Sequence, residues 1–446
     1  MKPFMYTTSE RGEYIKHELT CGMPLSGIST VIIDPQIRND GFIGFGVAIT
    51  GSSCYNLSKM NPVDRHALLE RLYSPEGLGF GIGRLTIGSS DYSAELYTYC
   101  DDKDVTLNSF SIEKDREYII PVIKEIIDIN PEIKLFASPW SPPAWMKTGG
   151  SIGGGFMREE YIDVYAEYFV KYVKAYAEEG IKIYAVTPQN ENETQQDGKM
   201  PACIWHPDFE AKFALSLRQK LDRCGIDTKI WFHDHNFSGY GRVDWCLGEY
   251  PSLVSSCDGV AFHYYSGNIE QTAFIKDKYP SLSLHFTEGG PRLYENYGSD
   301  WCKWALMFIK ALNNGYSSFT GWNLMLDESG GPNIGPFYCG GLVTKDSQSG
   351  LLSYSGQYKA FRHFCGIDRN AVIRQLRFGR HENGMYSYNE GIRRYSEGCA
   401  VTYPDGKTEL IIVNPSENKE QLQYMYNGKW CYIELLPNTV ATVIFP

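Results

Sequence analysis

Between residues 41 and 326 the sequence alternates short apolar runs with stretches of helical spacing, and this alternation restricts the fold more than any other feature. The apolar runs fall at 44–50, 81–87, 133–138, 183–187, 229–233, 259–263, 283–286 and 319–324. Helical spacing occupies 114–129, 159–179, 208–223 and 300–313. In the second of these, Tyr161, Val164, Tyr165, Tyr168, Phe169, Tyr172 and Val173 recur at three- and four-residue intervals, which places them on one helix face. Eight strand–helix units in series predict an α/β chain of the eightfold β/α (TIM) barrel type, not a doubly wound sheet.

After about residue 370 the pattern changes to alternating runs separated by turn residues. Ala400-Val401-Thr402-Tyr403 is followed by Pro404-Asp405-Gly406 and then Leu410-Ile411-Ile412-Val413. Period-two runs with no helix between them predict an antiparallel β-sandwich beside the barrel. The N-terminal stretch also lacks helical spacing. The expected organisation is 1–39 as strands joining the sandwich, 40–368 as the barrel, and 369–446 as the C-terminal sandwich.

Hydrophobic content of 43% and charged content of 21% are ordinary for a globular protein. A formal net charge of −11 and the lack of a Lys/Arg-rich run argue against nucleic acid or an anionic membrane as partner. No apolar run is long enough to cross a bilayer. The 9 Trp and 32 Tyr would suit sugars, whose C–H faces and hydroxyl rims match rings with a polar tip, or could simply fill a core. Twelve cysteines are scattered without any Cys-x-x-Cys pair, so they are expected to be free thiols. With no apolar leader at the N-terminus, a cytoplasmic location is expected, or secretion if a leader has been removed.

Active sites of such barrels sit where the strands end. The expected ends carry Arg84, Asp91, Trp140, Asn190-Glu191, His233-Asp234-His235-Asn236, His263-Tyr264-Tyr265, Glu288 and Trp322-Asn323. Glycosidic cleavage needs two carboxyls, one to protonate the leaving oxygen and one to attack C1. Glu191, after the fourth run, is placed for the first role and Glu288, after the seventh, for the second. Glu193 competes with Glu191 only if the strand continues that far. Asn190 offers its amide to the sugar 2-hydroxyl. The acid should have a raised pKa.

Gly44-Phe45-Gly46, Ser138-Pro139-Trp140-Ser141-Pro142-Pro143-Ala144-Trp145, Gln189-Asn190-Glu191, Phe286-Thr287-Glu288 and Trp322-Asn323-Leu324 occur in this order. Together they resemble glycoside hydrolase family 30, which includes glucosylceramidases, β-1,6-glucanases and β-xylosidases. The resemblance implies a retaining hydrolase with Glu191 as acid/base and Glu288 as nucleophile. It also implies a sugar subsite lined by Asp91, Trp140, Asn190, His263, Tyr265 and Trp322, with Arg84 beside the nucleophile. An exo-acting β-glucosidase is the expected activity, with an endo-β-1,6-glucanase or a catalytically silent carbohydrate-binding barrel as alternatives. Asn192 stands where the glucosylceramidase branch carries proline, and the loop 331–337 also departs from that branch, so the leaving-group side is expected to differ.

His233 and His235, two apart on a strand, would share a face and could hold a metal. No third ligand is evident in the sequence, so no metal and no cofactor are expected. His235 and Asn236 are instead expected to touch sugar. The expected partner is a β-glycoside, and oligomeric state is not legible.

Overall fold

The computed structural model describes residues 2–367, 370–379 and 396–446. Eight parallel strands close into a barrel in chain order: Gly44–Ala48, Ile82–Thr86, Lys134–Ser138, Ile183–Val186, Lys229–Asn236, Gly259–His263, Ser283–Glu288 and Tyr316–Gly321. The eighth strand begins earlier than its apolar run suggested, so Trp322 and Asn323 lie just past its end. Side chains fill the lumen. Trp231 stacks on His285 at 3.6 Å between ring centroids and tilts against Phe136 at 4.9 Å, within a cluster that includes Ile82, Ala185 and Ala261. Barrel strands approach closely at Gly46, where a Cβ would lie 1.7 Å from the Ile82 carbonyl oxygen, so only glycine fits.

Three of the expected helices match their spacing closely, at Ile162–Glu178, Pro207–Arg223 and Trp301–Asn313. The first buries the predicted aromatic face. Its Tyr176 hydroxyl, with those of Tyr97 and Tyr99, donates to the buried Asp115 carboxyl at 2.5–2.6 Å. Much of the tyrosine content is therefore core.

Chain contacts divide the molecule into two compact units. One comprises residues 44–294 and 317–353; the other comprises residues up to 43, 295–316 and 354 onward. Residues 295–316 and 354–367, expected within the barrel, thus group with the sheet. The reason is visible at the helix Trp301–Asn313, where Trp301 Nε1 donates to the Asn438 carbonyl at 2.9 Å and Asn313 Nδ2 to that of Gly398 at 3.2 Å.

The second unit holds a ten-stranded sheet. Its N-terminal strands Phe4–Ser9 and Ser29–Asp40 pair with C-terminal ones, as expected, and Gly12–Glu18 pairs with Phe4–Ser9 at the edge. The sheet folds over on itself: Phe445 meets Tyr424 and Tyr426, both at 4.9 Å, although their strands lie far apart in the hydrogen-bonding order. One apolar core, including Met5, Val31, Leu410, Leu422, Ile433 and Val443, fills the resulting sandwich.

The cysteine reading needs correction. Cys21 and Cys431 form a disulfide across adjacent antiparallel strands. Linear spacing carries no information about a pair 410 residues apart. The others are free and mostly buried.

Candidate active site

The strand ends of the barrel surround a cavity of about 300 Å³. Its lining includes Asp91, Trp140, Asn190, Glu191, His235, Asn236, Tyr265, Glu288 and Trp322, and therefore most of the residues singled out in the sequence. Backbone at these ends is strained. Glu191, His233, Asp234 and Asn323 all have positive φ, between 53° and 81°, a conformation that non-glycine residues adopt at a cost and that clusters at functional sites. Gly290, after Glu288, allows Trp322 to approach, since a Cβ there would lie 2.7 Å from the Trp322 carbonyl oxygen.

Glu288 receives hydrogen bonds from Arg84 Nη1 and, at 3.0 Å, from the Tyr265 hydroxyl. Arg84 is fully buried and also donates through Nη2 to Asn190 Oδ1 at 2.7 Å and to Asp234 Oδ2 at 2.9 Å. With its oxygen so occupied, Asn190 presents its NH₂ as the group left to bond a ligand. The guanidinium also lies over the rings of Trp140 and Trp322, which stack on each other at 5.1 Å. These indoles form the apolar wall of the cavity. Asp91 Oδ1 is buried without a hydrogen-bond partner among the described residues, and burial, with Glu288 and Glu191 nearby, raises its pKa well above the usual aspartate value.

His263 does not line the cavity, contrary to expectation. It is fully buried beneath the carboxylates: Nδ1 lies 3.5 Å from Glu191 Oε1 and 3.9 Å from Glu288 Oε2, and Nε2 is 3.1 Å from Asp234 Oδ1. Burial opposes its protonation, but Glu288, Asp234 and Glu191 outweigh that and raise its pKa to about 9. Because both glutamates approach one nitrogen, those two oxygens cannot be farther apart than the two distances combined, short of the widest inverting separations.

The protonation expected of Glu191 is reversed. Burial pushes its carboxyl up, yet the hydrogen bond and charge of His263, the His235 ring and a 3.1 Å bond from Gln196 Nε2 bring its pKa below the ordinary glutamate value. The two shifts together favour the charged form of Glu191 beside a protonated His263. Glu193 is turned away, partly exposed and 3.8 Å from Arg242. Asn192 is buried and donates to Glu210 at 2.7 Å and to the His233 carbonyl at 3.2 Å, so it braces the turn instead of meeting a leaving group.

The sequence places Asp234 at a strand end but assigns it no role. Strict alternation would turn it away from the face of His233 and His235. Instead the fifth strand runs to Asn236 and bulges: Ala261 pairs with His233 and Phe262 with His235, leaving Asp234 unpaired. The bulge turns Asp234 into the site, where Ser138, Thr187 and Thr287 also donate to it. Burial opposes its charge, but Arg84 and His263 dominate and depress its pKa strongly. The metal reading changes as well. Glu191, His235 and His263 offer ligand-type atoms within 4.8 Å of one another, a trio drawn from three strand ends that linear spacing did not reveal. His263 Nε2 is committed to Asp234 at 3.1 Å, so Nδ1 is the nitrogen it turns toward Glu191.

Residues 42–364 match the glycosyl hydrolase family 30 TIM-barrel domain. An endo-1,6-β-D-glucanase of Neurospora crassa is 28% identical over 94% of this chain and 89% of its own length. Mouse lysosomal acid glucosylceramidase is 29% identical over 86% of this chain and 77% of its own. Among solved structures, the endo-β1,6-glucanase BT3312 superposes with a TM-score of 0.84 at 29% identity, covering 100% of this chain and 99% of that one. SrfJ from Salmonella typhimurium gives 0.88 at 26% identity, with coverage of 100% and 99%. The chain belongs to glycosyl hydrolase family 30 and is a retaining glycoside hydrolase.

Proposed function

We propose that this protein is a β-glucanase that cleaves β-1,6-linked glucan within the chain. The observation that carries the reading is end-to-end similarity to two β-1,6-glucanases, one matched by sequence and one by structure. In this reading Glu288, oriented by Arg84 and Tyr265, attacks C1 and forms the glycosyl ester. Glu191 protonates the departing oxygen, and the proton reaches it from His263 Nδ1, 3.5 Å away. In the second step Glu191 takes a proton from water as that water opens the ester. Asn190 Nδ2 bonds the 2-hydroxyl, Asp91 takes further hydroxyls, and the Trp140–Trp322 wall packs the C–H face of the sugar. The Cys21–Cys431 disulfide supports an oxidising compartment, in place of the cytoplasm expected from the sequence.

A second reading, exo-acting release of single glucose units, is favoured by the cavity volume, which lies at the small end for a ligand site. Product analysis on β-1,6-glucan separates them. The endo reading expects mixed-length oligosaccharides from the earliest time points, and glucose alone from the outset returns the exo reading. An enzyme inert on β-1,6 linkages but active on aryl β-xylosides or glucosylceramide removes both.

A further inference from the structure

We infer that Tyr294, with Arg292 and Phe337, forms a second sugar subsite at the mouth of the catalytic cavity and holds the next glucose unit of a β-glucan chain. The inference rests on the glucanase reading and deepens it. The segment after Glu288 runs antiparallel to the loop that follows the eighth strand. Arg292 bridges to Cys339, Leu293 N donates to the Tyr338 carbonyl at 3.4 Å, and Gly340 N to that of Pro291 at 2.9 Å. Beyond the Arg292–Cys339 bridge the chain turns at Leu293 and Tyr294, and the bond from Arg292 brings the Tyr294 ring to the same side as Arg292. Arg292, Phe337 and Cys339 line the cavity, and Tyr294 stands outside that lining, tied to it through Arg292.

Three observations make this face a sugar site. First, it is continuous with the chemistry: Tyr265 donates to Glu288, and the Arg292 guanidinium lies 5.6 Å from the Tyr265 ring and 5.8 Å from the Tyr294 ring. Second, Tyr294 is 63% exposed yet held in place, because Arg292 Nη1 donates to its hydroxyl at 2.6 Å. A fixed ring open to solvent is a stacking platform whose ordering cost is already met. Third, Arg292 bonds Tyr294 through Nη1, and its other N–H groups suit the hydroxyls of a sugar lying over the ring. Tyr338, in the facing segment, is 64% exposed and serves as an internal control.

The test compares kcat/KM of the full chain on β-1,6-gluco-oligosaccharides with kcat/KM on β-glucosyl fluoride, which fills a single subsite. Tyr294→Ala should lower the ratio of the two about three- to tenfold, chiefly through KM on the oligosaccharides. Tyr294→Phe keeps the ring and should retain most of the ratio, and Tyr338→Ala should leave both activities unchanged. An unchanged ratio in Tyr294→Ala, or an equal fall in Tyr338→Ala, overturns the subsite. If the wild-type enzyme ignores β-1,6 oligosaccharides but cleaves another β-linked series, the glucanase reading fails, and the same ratio measured on that series still decides the subsite.

Discussion

Two aspartates, both buried in the barrel unit and both ringed by donors, have opposite fates. Asp234 is bonded by Arg84, His263 and three hydroxyls, and its pKa is strongly depressed. Asp115 is bonded by three tyrosine hydroxyls, and burial, only partly offset by those bonds, raises its pKa. Asp234 has five donors and Asp115 three, but what decides the sign is that two of the five are cationic and none of the three is. A carboxylate kept charged between two cations can fix the charge state and position of its neighbours. One surrounded by neutral phenols can only stitch elements together. The contrast assigns Asp234 to positioning the catalytic pair and Asp115 to stability.

Exchanging the two readouts is the strongest test. Asp234→Asn removes the charge that anchors Arg84 and His263, and should cut kcat/KM by about 10²–10³-fold, the usual effect of losing one preorganised electrostatic group. Asp115→Ala leaves three buried hydroxyls without an acceptor and should lower unfolding free energy by about 3 kcal/mol or more. Its kcat/KM per folded molecule should stay within about twofold. Similar activity losses in the two variants would end the distinction.

Stability against pH gives a smaller, signed effect. His263 rises from an ordinary 6.5 to about 9 on folding, so the folded state binds its proton more tightly than the unfolded state does. That stabilisation is complete below about pH 6.5 and is lost as pH rises through about 9. Melting temperature should therefore fall across this window in the wild type, and the slope should flatten in His263→Asn. A slope that survives the substitution would show that other groups carry it. Gln196→Ala is the companion experiment on activity. Removing one of the bonds that lower Glu191 shifts the shared proton toward Glu191 and should change the plateau of kcat/KM, while the basic limb, set by His263, stays in place. A limb that moves to higher pH would put the proton on Glu191 itself.

The same contrast shows how much was legible in the sequence. Glu191 and Glu288 could be found because each follows an apolar run, and chain order alone put those runs around a barrel. The aromatic face of Ile162–Glu178 followed from its spacing, but nothing in that spacing pointed to Asp115, about fifty residues earlier. Asp234 was hidden by the rule that revealed the strand, because one bulged residue inverts the faces that period-two reading assigns. The lowered pKa of Glu191 depends on His263 from a different strand, and the Cys21–Cys431 pair depends on the neighbouring strands of the sandwich. Such facts arise only when distant segments meet.

The smallest expected effect lies inside the Asp115 cluster and tests whether its donors act together. Tyr97 donates to Oδ1, whereas Tyr99 and Tyr176 share Oδ2. Replacing any one by Phe removes a single hydroxyl and should cost about 1–2 kcal/mol, with kcat/KM unchanged. Two donors on one oxygen compete for its electron density and share its placement, so Tyr99→Phe and Tyr176→Phe should combine non-additively, by about 0.5 kcal/mol or more in a double-mutant cycle. Tyr97→Phe with Tyr99→Phe, which address different oxygens, should couple less. Denaturant unfolding of the single and double variants measures both cycles. Equal coupling in the two would mean that Asp115 responds as a whole buried charge, and any loss of activity in these variants would link the cluster to catalysis and break the comparison with Asp234.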